Sequence, residues 1–307
     1  MSAKRTAPIF LQMTCLAGLL SVGLLAAGEG PAMAQDTDKG NRMHFVTSKD
    51  GTRIAYDALG KGPALILVNG ALATRASASE LASLLAAHFT VYSYDRRGRG
   101  DSGDTKPYSV RREIEDIAAL IDAAGGAAFV YGKSSGACLA LAASSSLGDK
   151  VKRLALYEAP YSEAEGAAKE WKEFRSKLDG LLAADRRADA VTLFMKFVGA
   201  PDEAIAGMKA SPAWPDMEAM APTLAYDNAV VGDDRSVPVE TAAKVKAGTL
   251  VMDGGASLGS MPFMRATAEK LAKAIPGAQR RTLEGQAHDV DAKTLTPVLL
   301  RFFSGAG

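Results

Sequence analysis

Five residues near the middle of the chain, Gly132-Lys133-Ser134-Ser135-Gly136, have the types and spacing of a nucleophile turn. A strand-like run, Ala127-Ala128-Phe129-Val130-Tyr131, precedes them, and a small-residue helix is predicted over Ala137 to Ser145. A serine placed between two such elements is held on a tight, strained turn, so its neighbours two places away must be small. Gly132 and Gly136 meet that need. The N–H groups that open the following helix face the serine, where they would stabilise an anion. The chemistry is attack by the Ser134 hydroxyl on an electrophilic carbon. The bare motif also matches an ordinary N-cap serine, and it imitates the end of a phosphate-binding loop. That loop needs glycine at position 127, where the chain has alanine, and a flexible stretch where it has Ala-Ala-Phe-Val-Tyr.

A serine hydroxyl is a weak nucleophile until a base takes its proton. The chain has three histidines. His44 lies before the main run of strands and His88 ends a helical pattern, which suits surface or packing roles. His288 closes Glu284-Gly285-Gln286-Ala287-His288, directly after the strand-like Gln279 to Leu283. A loop in that place can carry a base over the nucleophile at the sheet's carboxyl edge. Acyl transfer also needs two N–H donors aimed at the developing oxyanion. Ser135, next to the nucleophile, would give one. The loop Asn69-Gly70-Ala71, after the apolar run Leu65 to Val68, would give the other through Ala71.

These groups need a scaffold that brings distant loops to one edge. Buried apolar runs alternate with helical patterns from residue 40 onward. Phe45-Val46-Thr47 and Arg53-Ile54-Ala55-Tyr56 flank Asp50-Gly51, a hairpin signal. Further strands are predicted at Ala64–Val68, Phe89–Tyr94, Leu154–Tyr157, Thr249–Met252 and Gln279–Leu283. Helices are predicted at Leu81–Ala87, around Ile114, Ile117, Leu120 and Ile121, at Met264–Ala274 and at Leu295–Phe303. Strand and helix in alternation predict an α/β fold with a mostly parallel sheet covered by helices on both faces. The stretch from Tyr161 to Pro238 shows no strand pattern. It is read as a helical insertion capping one edge of the sheet, at about 161–238.

Four pieces in this order resemble the α/β-hydrolase superfamily. They are Asn69-Gly70, where relatives often have His-Gly; Asp95-Arg96-Arg97-Gly98-Arg99-Gly100-Asp101-Ser102; the turn at 132–136; and Gly285-Gln286-Ala287-His288. The resemblance covers nearly all of residues 41–307. It implies an eight-stranded sheet, a Ser–His–acid triad, an oxyanion hole and no cofactor. The Asp95 to Ser102 segment is mostly a structural turn in such proteins and receives no catalytic role. Relatives usually place the triad aspartate shortly after the seventh strand. Here that strand runs into Met252-Asp253-Gly254-Gly255-Ala256-Ser257, and Ser257 occupies the place. A serine does not stabilise an imidazolium as a carboxylate does. Glu158, at the end of the sixth strand, is the preferred acid, as in haloalkane dehalogenases. Asp253 is the alternative. Dehalogenation itself needs a carboxylate where Ser134 stands.

Composition narrows the setting. With 48% hydrophobic and 23% charged residues, 307 residues can bury a large core without staples. Lys4 and Arg5, an apolar run from Ile9 to Ala27 and Ala32-Met33-Ala34 read as a signal peptide, residues 1–34, cut before Gln35. A retained membrane anchor is the competing reading. The expected location is therefore periplasmic or secreted, with no stable membrane insertion after cleavage. Residues 1–34 hold two bases and one acid, so their removal takes the formal net charge from +1 to zero, which favours no nucleic-acid partner. One cysteine remains, Cys138, which reads as a core residue. No residue is assigned to a metal. The expected activity is hydrolysis of a small ester-like molecule, with Trp171, Phe174, Met195 and Phe197 as candidate linings of the acyl pocket. The alternatives are a cofactor-free haloperoxidase-like, perhydrolase or C–C hydrolase reaction on the same triad, or a non-catalytic binding protein. Lys133 reads either as a surface lysine or as a source of positive potential near the oxyanion.

Overall fold

Short runs rich in β-branched and aromatic residues, bounded by glycine, proline or charge, become the strands of one eight-stranded sheet. In this computed structural model, which describes residues 43–305, they are β1 (His44–Thr47), β2 (Arg53–Leu59), β3 (Ala64–Val68), β4 (Thr90–Tyr94), β5 (Ala128–Lys133), β6 (Val151–Tyr157), β7 (Gly248–Gly254) and β8 (Gln279–Leu283). The signal segment read at 1–34 lies outside the described residues. The strand order is β1-β2-β4-β3-β5-β6-β7-β8. β2 runs antiparallel to β1 and β4, and the other pairings are parallel. The mostly parallel sheet expected from the sequence is thus present. β6 begins three residues before the predicted Leu154, because Lys152 and Arg153, which are not fully buried, separate its buried first residue Val151 from the apolar run.

The helices are α1 (Ser79–Leu85), α2 (Val110–Ala123), α3 (Ser135–Leu147), α4 (Ala167–Ala183), α5 (Arg187–Phe197), α6 (Asp202–Lys209), α7 (Trp214–Met220), α8 (Leu224–Val231), α9 (Val239–Ala242), α10 (Phe263–Ala274) and α11 (Ala292–Ser304). Alternate strand residues face opposite sides of a sheet, and the core divides accordingly. Leu65, Leu67, Val91, Tyr131, Ala155 and Met252 pack with α1 and α11. Ile66, Val68, Val130, Leu154, Leu156 and Val251 pack with α2, α3 and α10. Helix α3 is fully buried at Ala137, Cys138, Ala140 and Ala143. Its small side chains let it lie directly on β5, and burial pushes the Cys138 thiol up to about 12.

Six helices, α4 to α9, connect β6 to β7. Helix α4 buries Trp171, Phe174 and Leu178 at helical spacing. Trp171 and Phe174 stack at 5.6 Å and Phe174 and Phe197 at 4.0 Å, forming an aromatic core for this region. Among the described residues no helix is long and apolar enough to cross a membrane.

The order β4-β3-β5 has a consequence for function. The chain leaves β3 towards β4 on one side, while β5 lies on the other. Such a reversal opens a crevice outside the carboxyl ends of the two strands, where open α/β sheets place their ligands. The loop after β3 holds Asn69 to Leu72, and the residue after β5 is Ser134.

Candidate active site

Ser134 joins β5 to α3 at φ 58° and ψ −133°. A non-glycine residue with this backbone is strained, and such strain collects at functional sites. The turn is held from three sides. Ser134 N–H donates to Tyr157 O at the end of β6, at 3.0 Å. A side chain at Gly132 would collide with Ala137 of α3, and one at Gly136 would overlap Val68 O. A Cβ on Gly70 would lie 2.9 Å from the Ser134 Cβ. The glycines therefore let the loop after β3 close onto the serine turn. That brings Ala71 and Ser135, the two residues expected to supply oxyanion donors, to the same edge as Ser134. Among the described residues the Ser134 hydroxyl makes no hydrogen bond.

Glu158 follows β6 directly. It too is left-handed, at φ 47°, and its N–H donates to Met252 O of β7 at 3.0 Å. The carboxylate is fully buried. Its Oε2 lies 2.7 Å from His288 Nδ1, and Oε1 accepts the Gly254 N–H at 2.8 Å. Burial opposes ionisation of Glu158. Its bonds to His288 and Gly254, together with the Ser257 hydroxyl beside it, outweigh that and hold its pKa below the ordinary value. Ser257, which stands where relatives have the acid, is itself buried and lies off hydrogen-bonding geometry.

Two further contacts fix the His288 loop. Tyr157 Oη donates to Ala287 O at 2.5 Å, and Ala256 N–H donates to Gln286 O at 2.9 Å. A third joins the two loops of interest. Lys133, beside Ser134, pairs with Asp289, beside His288, at 2.7 Å. The Lys133 ammonium is thus partnered by a carboxylate.

The structure takes Asp253 elsewhere. It lies inside β7 opposite Thr282 of β8. Its oxygens meet Arg280 at 3.0 Å, Thr282 Oγ1 at 3.1 and 3.2 Å, and Arg265 at 3.5 Å. Of the two candidate acids only Glu158 is brought to His288. His44 stacks on Tyr56 at 5.4 Å in the edge strand, and His88 is exposed at the end of the α1 segment. Trp171 and Phe174 are spent on the aromatic core of the insertion, with Phe197 stacked on them and Met195 half-buried nearby. Among the described residues no group of three or more His, Cys, Asp or Glu side chains is placed to hold a metal ion.

The turn Asp95 to Ser102, expected from the sequence to be mostly structural, reaches the site. Arg96, Arg97 and Arg99 from this turn are each 1% exposed or less. Arg96 and Arg99 reach the carbonyls of Asn69 and Gly70 and a carboxylate of the insertion, Asp227. A signal was available: three arginines in one turn, with Glu113 and Asp116 one helical turn apart on the next helix.

Comparison with known proteins bears on the fold. An α/β hydrolase from Sphaerobacter thermophilus is 52% identical, with a TM-score of 0.77, over 85% of this chain and 100% of that one. An enol-lactonase from Burkholderia xenovorans is 24% identical, with a TM-score of 0.61, over 85% of this chain and 100% of that one. An esterase from a Rhodococcus species is 20% identical, with a TM-score of 0.62, over 86% of this chain and 99% of that one. The sequence profile of the alpha/beta hydrolase family matches residues 65–292, from the first parallel strand to the start of α11, and the chain belongs to that family.

Proposed function

We propose that this hydrolase cleaves carboxylic esters through an acyl-enzyme, with Ser134 as nucleophile, His288 as base and Glu158 as the acid that orients it. The reading is carried by the 2.7 Å contact of the buried Glu158 carboxylate with His288 Nδ1, on the same sheet edge as a strained serine. Donation from Nδ1–H to Glu158 leaves Nε2 unprotonated and able to take a proton. His288 takes the Ser134 proton as the hydroxyl attacks the ester carbonyl. The Ala71 and Ser135 N–H groups hold the oxyanion, and the alcohol leaves with the proton from His288. Water, activated by the same imidazole, then releases the acid. Glu158 stabilises the imidazolium formed at each attack.

Labelling with a fluorophosphonate and turnover of short-chain p-nitrophenyl esters test this reading. Ser134→Ala is expected to abolish labelling and to lower kcat by about 10⁵-fold or more. Labelling that survives in Ser134→Ala overturns it. Activity on peracid formation or on C–C cleavage, without ester turnover, moves the same triad to another reaction. The first 34 residues support export with cleavage before Gln35, which N-terminal sequencing of the mature protein tests.

A further inference from the structure

Burying two guanidiniums and two carboxylates carries a heavy desolvation cost, and apolar residues of similar volume are often as stable. The cluster formed by Arg96, Arg99, Glu113 and Asp227 has such a composition, and its bonds converge on one place. Arg96 forks onto both oxygens of Glu113 at 2.7 and 2.8 Å. Its Nη1 reaches Asp227 Oδ1 at 2.6 Å and Asn69 O at 3.4 Å. Arg99 gives Nη2 to Asp227 Oδ2 at 2.7 Å, Nε to Thr223 Oγ1 at 3.1 Å and Nη1 to Gly70 O at 2.5 Å. On the other wall, Ser135 Oγ donates to Asp227 Oδ1 at 2.7 Å.

The carbonyl and N–H of one trans peptide point in opposite directions. When Arg99 takes the Gly70 carbonyl, the N–H of that same peptide, which belongs to Ala71, is turned away from the buried cluster. Gly70 packs against Ser134, so this peptide lies at the nucleophile. Ser135, the other expected donor, has its side chain fastened to Asp227. One carboxylate thus grips both halves of the expected oxyanion hole, Ser135 directly and the Ala71 peptide through Arg99. Asp227 belongs to α8 of the insertion, so the insertion takes part in the site's geometry.

We propose that Arg99 and Asp227 are positioning residues of the oxyanion hole, holding the Gly70–Ala71 peptide and Ser135 in register so that both N–H groups meet the same oxygen. The proposal rests on the ester-hydrolase reading above. Arg97 provides a matched control. It belongs to the same turn and is equally buried, but it bonds Asp116, Asp50 and the Arg112 carbonyl rather than Gly70, Ser135 or Asp227.

The test compares Arg99→Lys, Asp227→Asn and Arg97→Lys on a matched oxo-ester and thiono-ester. Sulfur accepts hydrogen bonds poorly, so the oxo-to-thiono rate ratio reports the oxyanion contacts and is insensitive to general loss of fold. Misaligned donors are expected to lower kcat on the oxo-ester about 100-fold, with KM within about threefold. The oxo-to-thiono ratio should fall about tenfold or more in Arg99→Lys and Asp227→Asn. Arg97→Lys should lose thermal stability while keeping the wild-type ratio. Thr223→Val removes the acceptor of Arg99 Nε with little change in shape, and should lower the ratio about threefold even if the other variants fold poorly. A wild-type enzyme that turns over these esters, with all four variants keeping its ratio, overturns the proposal alone. A wild-type enzyme that neither turns them over nor takes the label at Ser134 overturns the hydrolase reading and the proposal with it.

Discussion

Glu158 and Asp253 are buried carboxylates at the ends of neighbouring strands, yet the fold gives them opposite surroundings. Asp253 is still inside β7, and its oxygens are taken by Arg280, Thr282 and Arg265. Its charge is matched by two guanidiniums that never change protonation. Glu158 lies one residue past β6, and a left-handed backbone turns it to the carboxyl edge of the sheet. Its partners are a backbone N–H and one group that can gain a proton, His288, with the Ser257 hydroxyl nearby. A carboxylate already neutralised by fixed cations responds little to a new positive charge. One held by neutral donors responds fully. The difference separates a structural acid from one fit to serve a base.

The contrast can be broken most directly at Glu158. Glu158→Gln keeps the shape and removes the charge, and kcat on a p-nitrophenyl ester is expected to fall about 10⁴-fold with KM nearly unchanged. A loss under tenfold would remove Glu158 from the triad. Adding Ser257→Asp to that variant places a carboxylate where relatives carry theirs. Because Ser257 adjoins Glu158, steady-state kinetics should recover about tenfold of the lost kcat. Asp253→Asn should behave in the reverse way. It leaves Arg280 and Arg265 without their shared carboxylate and should cost about 2 kcal/mol in denaturant unfolding, discounted because both arginines are partly exposed. Its kcat/KM should stay within twofold.

Acid unfolding sharpens the same point. The folded pKa of Glu158 is lowered, so its contribution to stability is fully present above the unfolded carboxyl value of about 4.3. It is lost as pH falls through the lower folded value. Thermal melts from pH 6 to pH 3 should show a shallower decline in Glu158→Gln than in wild type. The smallest effect is expected at Lys133→Gln. Its pairing with an exposed Asp289 is a surface ion pair of modest worth, and ester kcat should change by less than about threefold, with the change fading at high salt.

Much of the scaffold was legible because it is local. The unbroken apolar run of Leu65 to Val68 and the glycines around Ser134 are short-range facts, and β3 and β8 occupy their predicted residues. The bounds of β5 and β6 were harder, since Gly132-Lys133 at the end of β5 and Lys152-Arg153 near the start of β6 interrupt the apolar pattern. The turn Asp95 to Ser102 could be recognised as a motif, but its arginines could not be given partners. Arg99 and Asp227 are 128 residues apart, and the insertion between β6 and β7 has no periodic signal that says which of its acids turns inward.

The sequence by itself determined the serine turn, the loop histidine and the parallel α/β scaffold, because each depends on residue types within a few positions of one another. Only the tertiary structure decided which carboxylate meets His288 and which arginine holds the Gly70 carbonyl. Those choices depend on side-chain direction across a twisted sheet and on contacts over more than a hundred residues. There a single step along β7, or one left-handed residue after β6, turns a carboxylate from one partner to another.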